Sequence, residues 1–156
     1  IDAETKTKLR KTLGPDLVAS NPLDAWDHPR QFREKFTAYF QTLIDDPNAG
    51  MGVICSNLRD GYYLSEGYAE VAIAVNKNSD KPVLVISNLA FEEHHYLAGE
   101  LAKQGIPMIS GTLEALLGCS NNANVAAISF AVSTSMTPYR RITADKPAPS
   151  SIIEPV

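Results

Sequence analysis

A turn between an apolar run and a helical pattern holds the residues of this sequence best suited to binding an anion. Residues 51–56 are almost continuously apolar, and Ser56-Asn-Leu-Arg-Asp-Gly61 then leads into an amphipathic helical pattern. Backbone N–H groups at such a turn lie at the positive end of the helix dipole, and the Arg59 guanidinium adds further donors. Ser56, Asn57, Arg59 and Gly61 are therefore candidate phosphate-binding residues.

The same turn also suits an ordinary loop in which Asp60 caps a helix. It lacks the GxxxxGK(S/T) and GxGxxG signatures of nucleotide-binding loops, so both interpretations stay open. A second polar turn, Asn21-Pro-Leu-Asp24, follows a predicted short strand at 17–19. Asn21 and Asp24 are candidate substrate or domain-interface contacts, or the two ends of an Asx-turn that leaves the sheet at Pro22.

A second set of residues, Glu92, Glu93, His94 and His95, has the side-chain types of a metal site. Adjacent residues of a helix point in different directions, so His94 and His95 do not form the i,i+4 pair that a metal prefers. Acidic residues in a helical first turn are already explained by the dipole. We therefore expect no metal site, and His28 has no evident catalytic partner.

Three short apolar runs alternate with helical patterns, which predicts a parallel sheet covered on both faces. Ligands of such a sheet bind where the strands end at their carboxyl side. Two more helices precede the first long run, one capped by Asp2 and one rich in aromatic residues. The predicted strands are 51–56, 83–88 and 106–109, and the predicted helices are 3–13, 27–45, 62–78, 92–104 and 112–117.

Composition excludes several classes of function. A net charge of −4 argues against nucleic-acid binding, which needs a basic face. Cys55 and Cys119 form no metal-binding or disulfide pattern, Cys55 is expected to pack as a small apolar side chain, and a reducing cytoplasm is the default location. No apolar stretch approaches the ~20 residues that span a bilayer, so no membrane association is expected.

The predicted domain organisation divides the chain near residue 118. Residues 1–118 carry the β/α alternation and form the compact domain. Residues 119–156 include a stretch rich in Pro, Ser and Thr from 137 onward, which is typical of a linker or tail. A strand-like run at 125–133 is an alternative edge strand of the sheet.

The order of these segments resembles one known domain. The Asn21-Pro-Leu-Asp24 turn is followed, at the expected distances, by Gly52-Val-Ile-Cys55, by Lys81-Pro-Val-Leu-Val-Ile86 and by the Gly-Ile-Pro segment at 105–107. Residues 3–118 resemble the second flavodoxin-like ligase domain of the NDP-forming acyl-CoA synthetases. They are also similar to the carboxyl-terminal domain of the succinyl-CoA synthetase beta subunit.

This resemblance implies an enzyme that forms acyl-CoA from a carboxylic acid, CoA and ATP or GTP, with Mg, through acyl-phosphate and phosphohistidine. The domain itself would stabilise the phosphoryl group at the turn of residues 56–61, where succinyl-CoA members carry a Gly-Gly pair that is absent here. The CoA-binding, phosphohistidine and ATP-grasp modules have no match in this sequence, so we expect them to be partner domains or subunits. The chain alone is expected to be inactive.

The resemblance also implies an incomplete sheet. In the family, a strand precedes the helix at 3–13, and in the flavodoxin order 2-1-3-4-5 that strand lies inside the sheet. The expected fold is thus a flavodoxin-like three-layer α/β domain whose first strand is missing or supplied by another chain or segment. The alternative function is a non-catalytic binding or regulatory module of the same fold, and a flavin-binding protein is disfavoured because no Ser/Thr/Gly-rich phosphate loop follows a first strand.

Overall fold

The computed structural model describes residues 1–26, 31–120 and 128–132, with side chains described up to residue 118. Within these ranges, five strands form one sheet in which every pair is parallel. The strands are β1 (Leu23–Asp24), β2 (Met51–Ser56), β3 (Val83–Ser87), β4 (Met108–Ser110) and β5 (Ile128–Val132). The predicted α/β class with a flavodoxin-like parallel sheet is confirmed.

The strand order is β1-β5-β2-β3-β4. This is the flavodoxin order with its interior position occupied by β5, the last described strand, instead of a strand that precedes the first helix. β5 pairs with β1 on one side and β2 on the other, so it is an interior strand, and the edge position suggested for 125–133 is wrong. The segment that fills the expected gap therefore belongs to this chain.

Five helices surround the sheet within the described ranges. They are α1 (Ala3–Thr12), α2 (Phe32–Ile44), α3 (Tyr63–Lys77), α4 (His95–Ala102) and α5 (Thr112–Ser120). The Asp2 carboxylate accepts a hydrogen bond from the Thr5 amide at 2.7 Å, so the predicted cap of α1 is present. Residues 27–30, including His28, and the predicted tail at 137–156 lie outside the described residues.

Two apolar clusters lie on the two faces of the sheet. The larger one joins α1, α2, α3 and α4 to Ile54, Val83 and Val85, whereas the smaller one joins Ala115 of α5 to apolar residues of β2 and β3. Successive strand residues point to opposite faces, so both faces of the central strands are apolar. The sheet is therefore the middle of three layers.

Aromatic residues of α2 bring that helix close to its neighbours. Phe32 and Tyr68 make an edge-to-face pair with ring centroids 5.5 Å apart. A Cβ atom at Gly67 would collide with the Phe32 ring, and one at Gly52 would lie 2.8 Å from the Phe40 ring. These two glycines allow α2 to pack directly against α3 and β2.

Two predicted elements differ from the structure. The short strand expected at 17–19 is absent, because the pairing with β5 uses Leu23 and Asp24 instead. The turn at Asn21-Pro22, whose peptide bond is cis, thus leads into the sheet and does not leave it. The helix expected from Glu92 begins only at His95, so Glu92 and Glu93 belong to the preceding loop.

Candidate functional site at the carboxyl edge of the sheet

The strand register brings the carboxyl ends of the five strands to one edge. Asp24, Val132, Cys55, Ile86 and Ile109 are paired in a single row across the sheet. The loops that follow this row carry most of the candidate residues. We call this region the carboxyl edge.

The loop between β2 and α3 has buried residues that fix it to the core and exposed residues that face solvent. Ser56 and Leu58 are buried, with 1% and 2% of their surfaces exposed, whereas Asn57, Arg59 and Gly61 are exposed. Gly61 has φ of 71°, a left-handed conformation that glycine adopts without steric cost. The alternation fixes the loop through Leu58 and leaves the Arg59 guanidinium at the surface.

Hydrogen bonds within this loop use part of its backbone. The Arg59 amide donates to Ser65 Oγ at 2.9 Å, and the Tyr62 amide donates to the Arg59 carbonyl at 3.4 Å. The Ser56 carbonyl accepts from the Asn88 amide at 2.9 Å. The Ser56 side chain is thus inside the fold, while Asn57 and Gly61 lie on the rim.

Asp60 caps a helix, but not the helix that follows it in sequence. Its two carboxylate oxygens accept hydrogen bonds from the Tyr96 amide at 2.8 Å and the Leu97 amide at 3.0 Å, at the start of α4. A carboxylate at this position complements the helix dipole. The amino terminus of α4 therefore already has an anion supplied by the protein, whereas Asp60 makes no such bond to α3.

Asn88 joins three elements at the same edge. Its Oδ1 atom accepts a hydrogen bond from Cys55 Sγ at 2.8 Å and from Thr112 Oγ1 at 2.7 Å. Burial raises the pKa of the Cys55 thiol above its usual value of 9.0, and the neighbouring Thr112 hydroxyl offsets part of that rise. Cys55 is therefore a buried, protonated side chain at neutral pH, in keeping with its predicted packing role.

Asp24 and Asn21 lie differently from each other. Asp24 is in the carboxyl row, two strands away from Cys55 with β5 between them, which corresponds to about 10 Å between backbones. Asn21 precedes β1 and lies towards the opposite end of that strand. The structure thus places Asp24 at the same edge as Arg59 and does not bring Asn21 there.

The histidines of the loop before α4 have separate environments. His95 is exposed, with Nε2 3.2 Å from Glu93 Oε2. His94 is 6% exposed, and neither of its ring nitrogens has a hydrogen-bond partner among the described residues. Across the described part of the chain, no three His, Cys, Asp or Glu side chains come together as metal ligands.

Exposed aromatic side chains are a feature of this edge that the sequence analysis did not identify. Trp26 follows β1, Tyr62 and Tyr63 follow β2, and Phe91 and Tyr96 follow β3. Tyr62 and Tyr63 contact each other edge to face, with centroids 5.2 Å apart. Their placement after successive strands was readable from the sequence once the strands were assigned. Among these described residues, the Tyr62–Tyr63 pair is the one ring contact, and exposed apolar surface of this kind is a candidate for binding.

No protein-family model matches this chain, and a search of curated proteins finds no significant match. No helix in the described ranges combines the length and apolar character needed to cross a bilayer.

Proposed function

We propose that this chain is a domain of an NDP-forming acid–CoA ligase and that its carboxyl edge stabilises a phosphoryl group during acyl-CoA formation. The reaction joins a carboxylic acid to CoA at the expense of ATP or GTP, through acyl-phosphate and phosphohistidine. One observation carries the proposal: an exposed arginine and a left-handed glycine directly precede the 15-residue helix α3, at the edge where parallel strands end.

Fewer residues are proposed to contact the phosphoryl group than the sequence suggested. Arg59 would donate charge-assisted hydrogen bonds to the phosphoryl oxygens, and the backbone of Asn57 and Gly61 would line the site. Ser56 is buried and would support the loop without touching the phosphoryl group. Asp24 would contact substrate or a neighbouring module from the same edge, and Asn21 would serve only at a domain interface.

In this proposal the remaining chemistry belongs to partner modules. Separate CoA-binding, phosphohistidine and ATP-grasp domains or subunits would bind CoA, the nucleotide and Mg²⁺. The phosphohistidine would be presented to the Arg59 loop from outside. We therefore expect no acyl-CoA when the chain alone is mixed with a carboxylic acid, CoA, ATP and Mg²⁺.

The proposal is tested by titrating the ¹⁵N-labelled chain with acetyl phosphate and with inorganic phosphate. The amide signals of Asn57 and Gly61 should shift with acetyl phosphate. Arg59→Gln should weaken that binding about tenfold, because a hydrogen bond to a charged group contributes about 1.5–3 kcal/mol.

Arg10→Gln is the matched control, since Arg10 is an exposed arginine in the last turn of α1. It should leave acetyl phosphate binding unchanged. Equal losses in the two variants, or shifts spread evenly over all basic residues, would rule out a phosphoryl site at the Arg59 loop.

A second candidate is a non-catalytic binding or regulatory module of the same fold. The exposed aromatic residues at the carboxyl edge favour it, since tyrosine, tryptophan and phenylalanine are enriched at protein interfaces. Acetyl phosphate distinguishes the two candidates. A module that only docks on another protein would bind it no better than inorganic sulfate.

A further inference from the structure

A groove between α3 and α4 has an apolar floor. Ala69 and Leu97 are buried beneath it, and Ile73 packs against the core from its side. Tyr96 also lines the groove and is 58% exposed. The cavity has a volume of about 160 Å³, which accommodates one or two aliphatic side chains.

Three glutamates line the same groove. Glu66 and Glu70 are one turn apart on α3, and Glu100 faces them from α4. Glu70 pairs with Arg33 and Glu100 with Lys103, both at 2.5 Å and both on exposed side chains. Such exposed pairs contribute little to stability, so breaking one to bind another cation costs little. The groove thus combines an apolar floor with an acidic rim.

The groove reaches the aromatic part of the carboxyl edge. Tyr62 and Tyr63 stand one turn before Glu66, and Tyr96 begins α4. The Asp60 carboxylate holds the Tyr96 amide, so the two helix starts are fixed to each other. Glu66 and Ile73 are seven residues apart, so the lined part of α3 is about 10 Å long.

We propose that the α3–α4 groove docks a basic segment of a partner protein, with one or two apolar side chains on the floor and flanking Lys or Arg side chains on the glutamates. Charge complementarity selects this occupant: Glu66 lines the small apolar cavity without a paired cation among the described residues, and a ligand cation can take the place of the exposed Arg33 or Lys103 side chain at Glu70 or Glu100. The floor supplies the anchor position typical of segments bound in helical grooves. This inference is independent of the proposed phosphoryl site, since no residue that lines the groove belongs to the loop of residues 56–61.

The test uses a fluorescein-labelled peptide with leucine and arginine in a three–four pattern, at about 0.15 M salt. Glu66→Gln, Glu70→Gln and Glu100→Gln combined should weaken its binding about tenfold, since three charge pairs are lost. The matched control combines Glu4→Gln, Glu34→Gln and Glu114→Gln, exposed residues on α1, α2 and α5. The control changes net charge equally and should alter binding less than twofold.

The apolar contribution is tested separately with two residues of matched exposure. Tyr96→Ala should weaken peptide binding severalfold, whereas Leu113→Ala, at a residue of α5 that is 66% exposed, should leave it unchanged. Thermal unfolding of every variant checks that the fold is kept, and both side chains are exposed enough to be removed without loss of the core.

Three results would overturn the proposal. Equal weakening by the two glutamine triples would show unspecific attraction to an acidic protein. Equal binding of a peptide with glutamate in place of arginine would remove the role of the rim. If the wild-type chain and the control triple form a dimer and the Glu66, Glu70 and Glu100 triple is a monomer, the groove binds a second copy of the chain.

Discussion

The two ends of the sheet use their polar residues in opposite ways. At the amino end, the Asp46 carboxylate is 1% exposed and accepts hydrogen bonds from the amides of Asp2 and Asn48 at 2.7 and 2.8 Å. Lys81 Nζ donates to the carbonyls of Ile44 and Asp46, both at 2.7 Å, at the end of α2. These groups hold the chain together at this end of the sheet, and Asp46 is out of reach of a ligand.

At the carboxyl end, the charged and aromatic side chains are left open. Asn88 and Asp60 hold the loops in place, while Arg59, Phe91 and Tyr96 are exposed. Polar residues in the loops of this fold therefore have different roles at the two ends of the sheet. Burial and complete internal pairing identify structural groups, and exposure beside a fixed loop identifies candidates for binding.

The largest effect is expected at the amino end. Asp46→Ala removes the acceptor of two backbone amides and should lower the free energy of unfolding by about 3 kcal/mol, because buried donors are left unsatisfied. Urea unfolding followed by circular dichroism measures this. Asp45→Ala, at the exposed neighbouring carboxylate, should cost less than about 0.5 kcal/mol. Similar costs at both positions would remove the distinction between the two ends of the sheet.

The stability contributed by Asp46 should depend on pH. Burial acts against the charged carboxylate, but hydrogen bonds from Asp2, Thr5 and Asn48 outweigh it and hold the pKa of Asp46 below its usual 3.8. A depressed folded-state pKa contributes stability above pH 3.8 that is lost as the pH falls through the folded-state pKa. The stability gap between wild type and Asp46→Asn should therefore be full at pH 7 and should narrow below pH 3.8. A gap that widens in acid would contradict the assignment.

A smaller effect is expected for Asp60→Ala, which removes the cap of α4 and should cost about 1 kcal/mol. Asp60→Asn should lose less, since its amide oxygen still accepts one hydrogen bond. Removing a carboxylate next to Arg59 should also strengthen acetyl phosphate binding. Unchanged stability together with weaker phosphate binding would show that Asp60 serves the ligand and not the helix.

The smallest stability effect is expected for Arg59→Gln, at an exposed side chain. Its free energy of unfolding should stay within about 0.5 kcal/mol of wild type, even though acetyl phosphate binding is expected to weaken. Thermal unfolding alongside the titration separates the two quantities. A large loss of stability would place Arg59 with the structural groups of the amino end.

Local patterns predicted the elements whose information lies within a short stretch of sequence. β2 lies at the predicted residues, α3 starts and ends one residue inside its predicted range, and the Asp2 cap is present. The aromatic stripe of α2 identified its buried face correctly, since Phe32, Phe36 and Phe40 are buried. Periodicity and capping chemistry were sufficient for these features.

The predictions that were wrong concern elements whose position depends on contacts between residues far apart in the sequence. The start of α4 is fixed by Asp60, which lies 36 residues before Tyr96, and no local signal at Glu92 reports that bond. β1 is defined by its pairing with β5, so the apolar residues at 17–19 were chosen in error. The exposure of Arg59 follows from its place in a strand-to-helix turn, which is a local signal, whereas the burial of Ser56 and His94 follows from packing.

The pairing of β1 with β5 has a consequence for the time at which the fold is completed. The two strands are about 100 residues apart in the chain, and β5 is also the only described strand that connects β1 to β2. During synthesis on a ribosome, β1 can therefore pair only after β5 has emerged, when most of this sequence has been made. Until then, the nascent chain exposes the unpaired edge of β2, and a chaperone that shields such an edge would be of most use during that interval.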